Sequence, residues 1–264
     1  MPTLKSLYIY PIKSTKAISL NSTTVDRLGL QWDRRWMLVD DEGKYMTQRH
    51  FPMMSQLRVE LKRNKAELHI PNKSPLSIQP EPNQHRMTVK IWDDQVDAMH
   101  VSEDIDAAVS EFLQTSCRLV FFDDDAERSV DQNYAKPDDT TAFSDGFPLL
   151  VISQGSLDAL NERMDEPVSM LRFRPNLVID GVSPFAEDEY NRMQIGDVIF
   201  RIVKPCARCV MVNVNPQTAE KSAIVLRTLV SFRQMDGKVY FGQNVIPDCS
   251  GNITIGDTVK LWNE

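Results

Sequence analysis

Glycine is scarce in this chain, with 10 residues in 264, and the glycine-dependent nucleotide motifs are missing. Neither Gly-x-Gly-x-x-Gly nor Gly-x-x-x-x-Gly-Lys-Ser/Thr occurs, so neither a dinucleotide fingerprint nor a P-loop is supported. The hydrolase elbow Gly-x-Ser-x-Gly and the metalloprotease helix His-Glu-x-x-His are absent as well. Histidine is also sparse: His50, His69, His85 and His100 are scattered, which argues against a His-rich zinc or iron site. Four cysteines are too few for a disulfide scaffold, and Cys117, Cys206, Cys209 and Cys249 follow no regular framework. Reduced thiols in a cytosol are the expectation.

Positive charge is not in excess. Lys and Arg number 30 against 37 Asp and Glu, giving a net charge of -7 and a pI near 5.2. That balance argues against a nucleic-acid partner or adhesion to an anionic membrane, while leaving room for a local basic pocket that takes a small anion. Long apolar runs are missing too: Phe147 to Ile152 falls far short of the roughly 20 residues that cross a bilayer. The first residues run directly into Leu4-Lys5-Ser6-Leu7-Tyr8-Ile9-Tyr10, a strand pattern rather than an export leader. A soluble, cytoplasmic protein is expected.

What is present is ordinary globular composition, 42% hydrophobic and 25% charged, with length for one large domain or two smaller ones. The first hundred residues alternate β-branched and aromatic runs with short polar turns. Trp36 to Val39 and Tyr45 to Thr47 flank Asp41-Glu42-Gly43, Leu57 to Leu61 and Glu67 to Ile70 flank Asn64-Lys65, and Thr88 to Trp92 meets Val96 to Val101 across Asp93-Asp94. Each reads as a hairpin. Behind Ser102, a plausible N-cap, Ile105, Val109, Phe112 and Leu113 fall at helical spacing.

From Asp123 to Thr141 the chain turns acidic and polar, which suggests a surface loop joining two modules, residues 1–122 and 123–264. Beyond it, Pro148 to Ile152 reads as a buried strand, followed by a helix from Ser153 to about Met164. Further strands are expected at Asn176 to Ile179, Val198 to Val203, Val210 to Val214, Lys238 to Phe241 and Thr258 to Trp262, with a short helix near Ala223 to Leu229. Ile195-Gly196-Asp197 and Ile255-Gly256-Asp257 echo each other at strand mouths, as corners of a barrel do; two unrelated tight turns would look the same.

The most informative stretch is Val203-Lys204-Pro205-Cys206-Ala207-Arg208-Cys209-Val210-Met211, two thiols and two cations in a short turn after an apolar strand. Four readings are open for the thiols. Structural zinc needs a second ligand pair, and only Cys117 and Cys249 remain. A thioredoxin-like pair needs a helix N-terminus. Buried inert thiols are the plain alternative. The fourth is a single thiolate on a soft metal, beside Lys204 and Arg208. Other cations stand at strand mouths: Lys13-Ser14 after Tyr10-Pro11-Ile12, Arg34-Arg35 after Asp33, and Arg172-Phe173-Arg174 before Pro175-Asn176. If these ends converge, they suit an anionic cofactor.

Taken together, Tyr-Pro-x-Lys-Ser at 10 to 14, Asp-Arg-Arg-Trp-Met-Leu-Val at 33 to 39, Phe-Ser-Asp-Gly at 143 to 146, Arg-Phe-Arg-Pro-Asn-Leu-Val at 172 to 178 and Cys-Ala-Arg-Cys at 206 to 209 resemble the MOSC family. The resemblance runs nearly end to end. It is strongest to the branch with its own N-terminal β-barrel domain, which includes the mitochondrial amidoxime-reducing component and its bacterial relatives. It implies a mainly β fold with some α, a barrel-like domain over 1–122 followed by a MOSC β-barrel domain over 123–264.

The resemblance further implies a molybdenum cofactor, a pyranopterin dithiolene whose metal takes one protein thiolate. By position that ligand is Cys209, with Cys206 a neighbour. Lys13, Ser14, Arg34, Ser144, Asp145, Arg174, Asn176 and Arg208 are implied as contacts to the cofactor's phosphate and pterin. The implied activity is molybdenum-dependent reduction of N-hydroxylated compounds (amidoximes, hydroxylamines or N-hydroxylated bases) to the amine or amidine plus water. Some relatives carry a ferredoxin domain, but these cysteines cannot build a plant-type cluster. A separate electron donor follows: ferredoxin-like, a flavoprotein or cytochrome b5-like. Ser183 stands where the mitochondrial members have an Asp. A different class of reading is a carrier that holds the cofactor, or a persulfide on Cys209, without turnover of its own.

Overall fold

The computed structural model describes residues 1–62, 65–80 and 84–264, and β-structure with three α-helices makes up its framework. Its largest sheet has nine strands. Along the sheet run Val259–Trp262, Arg192–Ile195, Val198–Ala207, Lys238–Pro247, Leu149–Ser153, Leu177–Asp180, Thr3–Ile9 and Ile18–Leu20, with Gln234–Met235 beside Lys238–Pro247. Leu149–Ser153 and Leu177–Asp180 pair in parallel, and the helix Gln154–Asn161 lies in the connection between them, as a parallel crossover requires. Ser153 caps that helix by accepting from the Ser156 amide.

Every residue of Leu149–Ser153 is buried, because both faces of this sheet are covered. Period-two alternation divides the strand between two cores: Leu149 and Val151 pack with Leu4, Leu7 and Phe200, whereas Leu150 and Ile152 pack with Leu157, Phe173, Leu229 and Phe241. The helix Ile224–Arg233 covers the second of these faces. Most of the expected strands and helices thus appear; Val198–Ala207 and Lys238–Pro247 run longer than the sequence pattern suggested, and the helix after Ser153 is shorter, ending at Asn161 rather than about Met164.

The first strand crosses the expected module boundary. Thr3–Ile9 pairs with Leu177–Asp180 in the large sheet, and Ser22–Asp26 pairs with Gly251–Thr254. Between these, a four-stranded sheet orders Trp36–Val39, Arg118–Phe121, Asp94–His100 and Arg86–Ile91. The helix Glu103–Leu113 buries Ile105 and Val109, as its spacing predicts, although Ser102 makes no side-chain cap.

Three local expectations are refined. The hairpin over Asp41-Glu42-Gly43 is made but its second arm is short: Tyr45 bridges Val39 antiparallel and the Met46 amide donates to Leu38 O at 2.8 Å, Asp40 Oδ1 accepts from the Glu42 and Lys44 amides in the turn, and the full ladder partner of Trp36–Val39 is Arg118–Phe121. Val210 to Val214 is not a strand. Sheet pairing stops when the Arg208 amide donates to Val239 O at 2.7 Å, and Val210–Asn213 then winds into a 3-10 turn that buries Val212, so packing overrides the β propensity of the valines. The acidic segment 123–141 runs over the surface, as expected, yet it is anchored there, with Ala126, Arg128 and Val130 buried in alternation. The hairpin of Arg58–Lys62 with Lys65–His69 is present, but the turn residue Asn64 lies outside the described residues.

The two Ile-Gly-Asp turns meet. The Gly196 amide donates to Thr258 O at 3.2 Å, and a Cβ on Gly196, at φ +55°, would stand 3.0 Å from Asp257 Oδ2.

Candidate functional site

Thr3–Ile9 ends at Tyr10, and Pro11 cannot extend a ladder, so the chain turns there. Paired backbone bonds clamp that turn to residues 33–36. The Lys13 amide donates to Trp36 O at 2.7 Å, the Arg34 amide to Tyr10 O at 3.0 Å, and the Tyr10 amide to Asp33 Oδ1 at 2.8 Å. Ser14, Arg34 and Arg174 hold φ of 63°, 47° and 56°, left-handed conformations that non-glycine residues rarely adopt. Such strain persists where surrounding contacts over-determine the backbone, and it concentrates at functional sites.

Arg34 and Arg174 lean on one ring. Their guanidinium carbons lie 4.4 and 4.0 Å from the Tyr10 centroid, inside cation–π range. Arg34 pairs with buried Asp33 and also donates to Asn176 Oδ1 at 2.9 Å and Arg174 O at 3.2 Å. Arg174 donates to Thr15 O at 2.8 Å. Burial lowers the Arg174 pKa to about 10 and raises those of Tyr10 and Asp33, with Arg174 and Arg34 opposing the rise at Tyr10 and Arg34 that at Asp33. Like charges held together in a desolvated cluster favour an anion.

Lys13 is 5% exposed, and its ammonium donates to Phe143 O at 2.9 Å and Asp145 Oδ1 at 2.5 Å. Burial pulls its pKa down to about 8 against the opposing pull of Asp145. The Asp145 side chain is 61% exposed; desolvation raises its pKa, yet Lys13, Arg49 and Arg34 together hold it well below the usual carboxylate range. Ser144 and Asp145 belong to a loop fixed by Arg128. Its Nη1 donates to Ala142 O at 2.9 Å and Ser144 O at 2.6 Å, its Nη2 to Asp145 O at 3.2 Å, and its Nε to Asp94 Oδ2 at 2.7 Å.

On the opposite wall, Arg208 donates to Phe173 O at 2.6 Å and to Cys206 Sγ at 3.1 Å, and Cys209 begins the 3-10 turn. Lys13, Ser14, Arg34, Ser144, Asp145, Arg174, Asn176, Arg208 and Cys209 all line one cavity, although they come from five separate stretches of chain. Cys206, Arg172 and Met211 line it too. None of the four histidines does, and Ser183 stays outside, in an exposed turn. Among the described residues no third His, Cys, Asp or Glu joins Cys206 and Cys209 at metal-ligand spacing; the one such group is Glu60, Glu67 and His69. A structural zinc site therefore lacks its ligands.

Two contributors escaped the sequence reading. Arg128 lay inside an acidic run that looked solvated, and the buried alternation of Ala126, Arg128 and Val130 was its available signal. Arg49 sits in a turn with Gln48, whose amide donates to Ser14 O at 2.8 Å. Burial lowers the Arg49 pKa, but Cys209 and Asp145 lie close enough to raise it overall. No spacing rule links Arg49 to Cys209.

Residues 1–116 match the model of the MOSC N-terminal beta barrel domain, and residues 138–260 that of the MOSC domain. The chain is 34% identical to mitochondrial amidoxime-reducing component 1 of Mus musculus, covering 99% of this chain and 83% of that protein. Against its Homo sapiens counterpart the identity is 30%, with 99% and 83% covered. Molybdenum cofactor sulfurase of Oryza sativa is 30% identical over 90% of this chain but only 32% of that much longer protein. The chain thus belongs to the MOSC-domain family, in the branch that joins an N-terminal MOSC β-barrel domain to the MOSC domain and includes the mitochondrial amidoxime-reducing component.

Proposed function

We propose that this protein holds a molybdenum-bearing pyranopterin cofactor and reduces N-hydroxylated compounds to the amine or amidine plus water. One observation carries the reading: Lys13, Arg34, Arg172, Arg174 and Arg208 line a cavity in which, among the described residues, Asp145 is the only lining carboxylate, and Cys209 lines the same space. Arg172 stands in this cavity partly desolvated, since burial lowers its pKa. A phosphate matches that surplus of charge, and a soft thiolate matches molybdenum.

The residue types fit such a group. Cys209 Sγ is the metal ligand in this account. Lys13, Ser14, Arg34, Ser144, Asp145, Arg174, Asn176 and Arg208 would hold its phosphate and pterin. When bound, the cofactor supplies the two electrons that N–O reduction consumes; two protons complete the amine and water. The protein keeps the cations desolvated and oriented, so they need no reorganisation when the ligand arrives. Electrons come from a separate donor protein, ferredoxin-like, flavin-containing or cytochrome b5-like. We assign the protein to the cytoplasm; among the described residues no helix is long and apolar enough to cross a membrane.

The second reading, a carrier of the cofactor or of persulfide sulfur, draws on the likeness to molybdenum cofactor sulfurase. Turnover separates the two. Cofactor-loaded protein with a strong artificial donor reduces an amidoxime or hydroxylamine if it is a reductase, and Cys209→Ser loses that activity. Loaded protein that reduces no N-hydroxy compound contradicts the proposal and favours the carrier.

A further inference from the structure

The strand Arg86–Ile91 turns into Asp94–His100 through two residues, Trp92 and Asp93. Trp92 takes φ +55°, the left-handed region that such loops normally give to Asn, Asp or Gly. A bulky aromatic there is strained, and it is also 46% exposed. Neither feature helps the fold. The contacts of its indole explain where the strain is directed. Nε1 faces Asp145 Oδ1 at 3.4 Å, the Arg49 guanidinium lies 4.7 Å from the ring centroid, and Tyr45 stacks at 5.4 Å with planes tilted by 44°.

These partners tie the indole to the mouth of the cavity. Asp145 and Lys13 line it, and the Lys13 ammonium stands 5.7 Å from the Tyr45 ring. Tyr45 itself is fixed, because its amide donates to Lys90 O at 3.0 Å. Arg49 and Tyr45 occupy part of the indole surface and leave the rest open to an entering molecule.

We infer that Trp92, backed by Tyr45 and Arg49, is a substrate-recognition ledge that stacks flat aromatic N-hydroxy compounds and so favours them over aliphatic ones. The inference rests on the reductase reading and deepens it by naming a substrate class. Stacking of this kind contributes through the ring face alone, so it changes affinity rather than the chemical step.

The test uses cofactor-loaded full-length protein with an artificial electron donor and two probes, benzamidoxime and N-methylhydroxylamine. Trp92→Asn removes the ring while supplying a residue the turn accepts, so the fold is relieved rather than stressed. The KM for benzamidoxime should rise about tenfold, equivalent to about 1.4 kcal/mol, with kcat held within about twofold. For N-methylhydroxylamine both constants should stay within about twofold, and Trp92→Phe should restore most of the benzamidoxime affinity. Equal shifts for both probes, or none for either, overturn the ledge. If the wild-type protein turns over neither probe, the reductase reading fails, and binding decides the ledge separately. Saturable quenching of tryptophan fluorescence by benzamidoxime, lost in Trp92→Phe and Trp92→Asn, upholds it; the same titration in all three overturns it.

Discussion

The ammonium of Lys13 meets the carboxylate of Asp145 at 2.5 Å across a sequence separation of 132, and this pair joins the start of the chain to the loop before Leu149. Its two halves are unequal, for the Lys13 side chain is 6% exposed and that of Asp145 61%. The lysine depends on its partner far more than the aspartate does.

Lys13 is lowered from 10.5 to about 8, so in the absence of a ligand it gives up its proton within an accessible range. Sulfate, whose charge is constant there, should bind the cofactor-free cavity progressively more weakly as pH rises through about 8. Lys13→Arg should remove that dependence, since a guanidinium stays charged. Titration by calorimetry checks this, and unchanged wild-type affinity across the window contradicts it. The stability terms run in known directions. Between about 8 and 10.5 the unfolded chain binds the lysine proton more tightly, so this group's contribution to stability rises with pH. Asp145 is held below its ordinary 3.8; its stabilisation is present above that value and is lost as pH falls beneath it.

Arg128 should behave as a positioning residue. Arg128→Met leaves the carbonyls of Ala142, Ser144 and Asp145 without their donor, and stability should fall by roughly 2–4 kcal/mol. Arg128→Lys rescues only partly, because one ammonium cannot span three carbonyls and Asp94. Amide exchange over residues 142–146 should accelerate in both variants, and unaltered protection there refutes the role.

Tyr10 separates two contributions. Tyr10→Phe loses only the hydroxyl bond to Pro175 O, 3.1 Å long, and should cost about 1 kcal/mol with sulfate binding preserved. Tyr10→Leu removes the ring on which Arg34 and Arg174 rest, and sulfate affinity should drop severalfold in the same titration. Equal affinities in both variants contradict the shared-ring arrangement.

Much of this arrangement was readable in advance because its signals are local. Leu149 to Ile152 is apolar at every position, which only a strand covered on both faces requires. Lys13, Arg34, Arg174 and Cys209 each sit where a strand pattern breaks, and chemistry-bearing residues at strand ends are visible in one dimension. What was not readable depends on distant partners. Thr3–Ile9 looks like any edge strand until Leu177–Asp180 is beside it. Val210–Asn213 carries strand-forming valines, yet the site needs the chain to leave the sheet there. Arg49 and Trp92 gain meaning only from a turn and a hairpin meeting beside Asp145.

Cys206 and Cys209 test the single-ligand assignment. The Cys206 sulfur already accepts from Arg208 at 3.1 Å, so Cys206→Ser should reduce turnover modestly, whereas Cys209→Ser should abolish it with the melting transition retained. Equal loss in both would show that the pair acts together.

The most direct measurement is metal content by mass spectrometry, on protein purified from a host that makes molybdenum cofactor, with Cys209→Ser prepared in parallel. About one molybdenum per chain in the wild type, lost in the variant, is the predicted result. Zinc, or no metal, in both proteins would contradict the account.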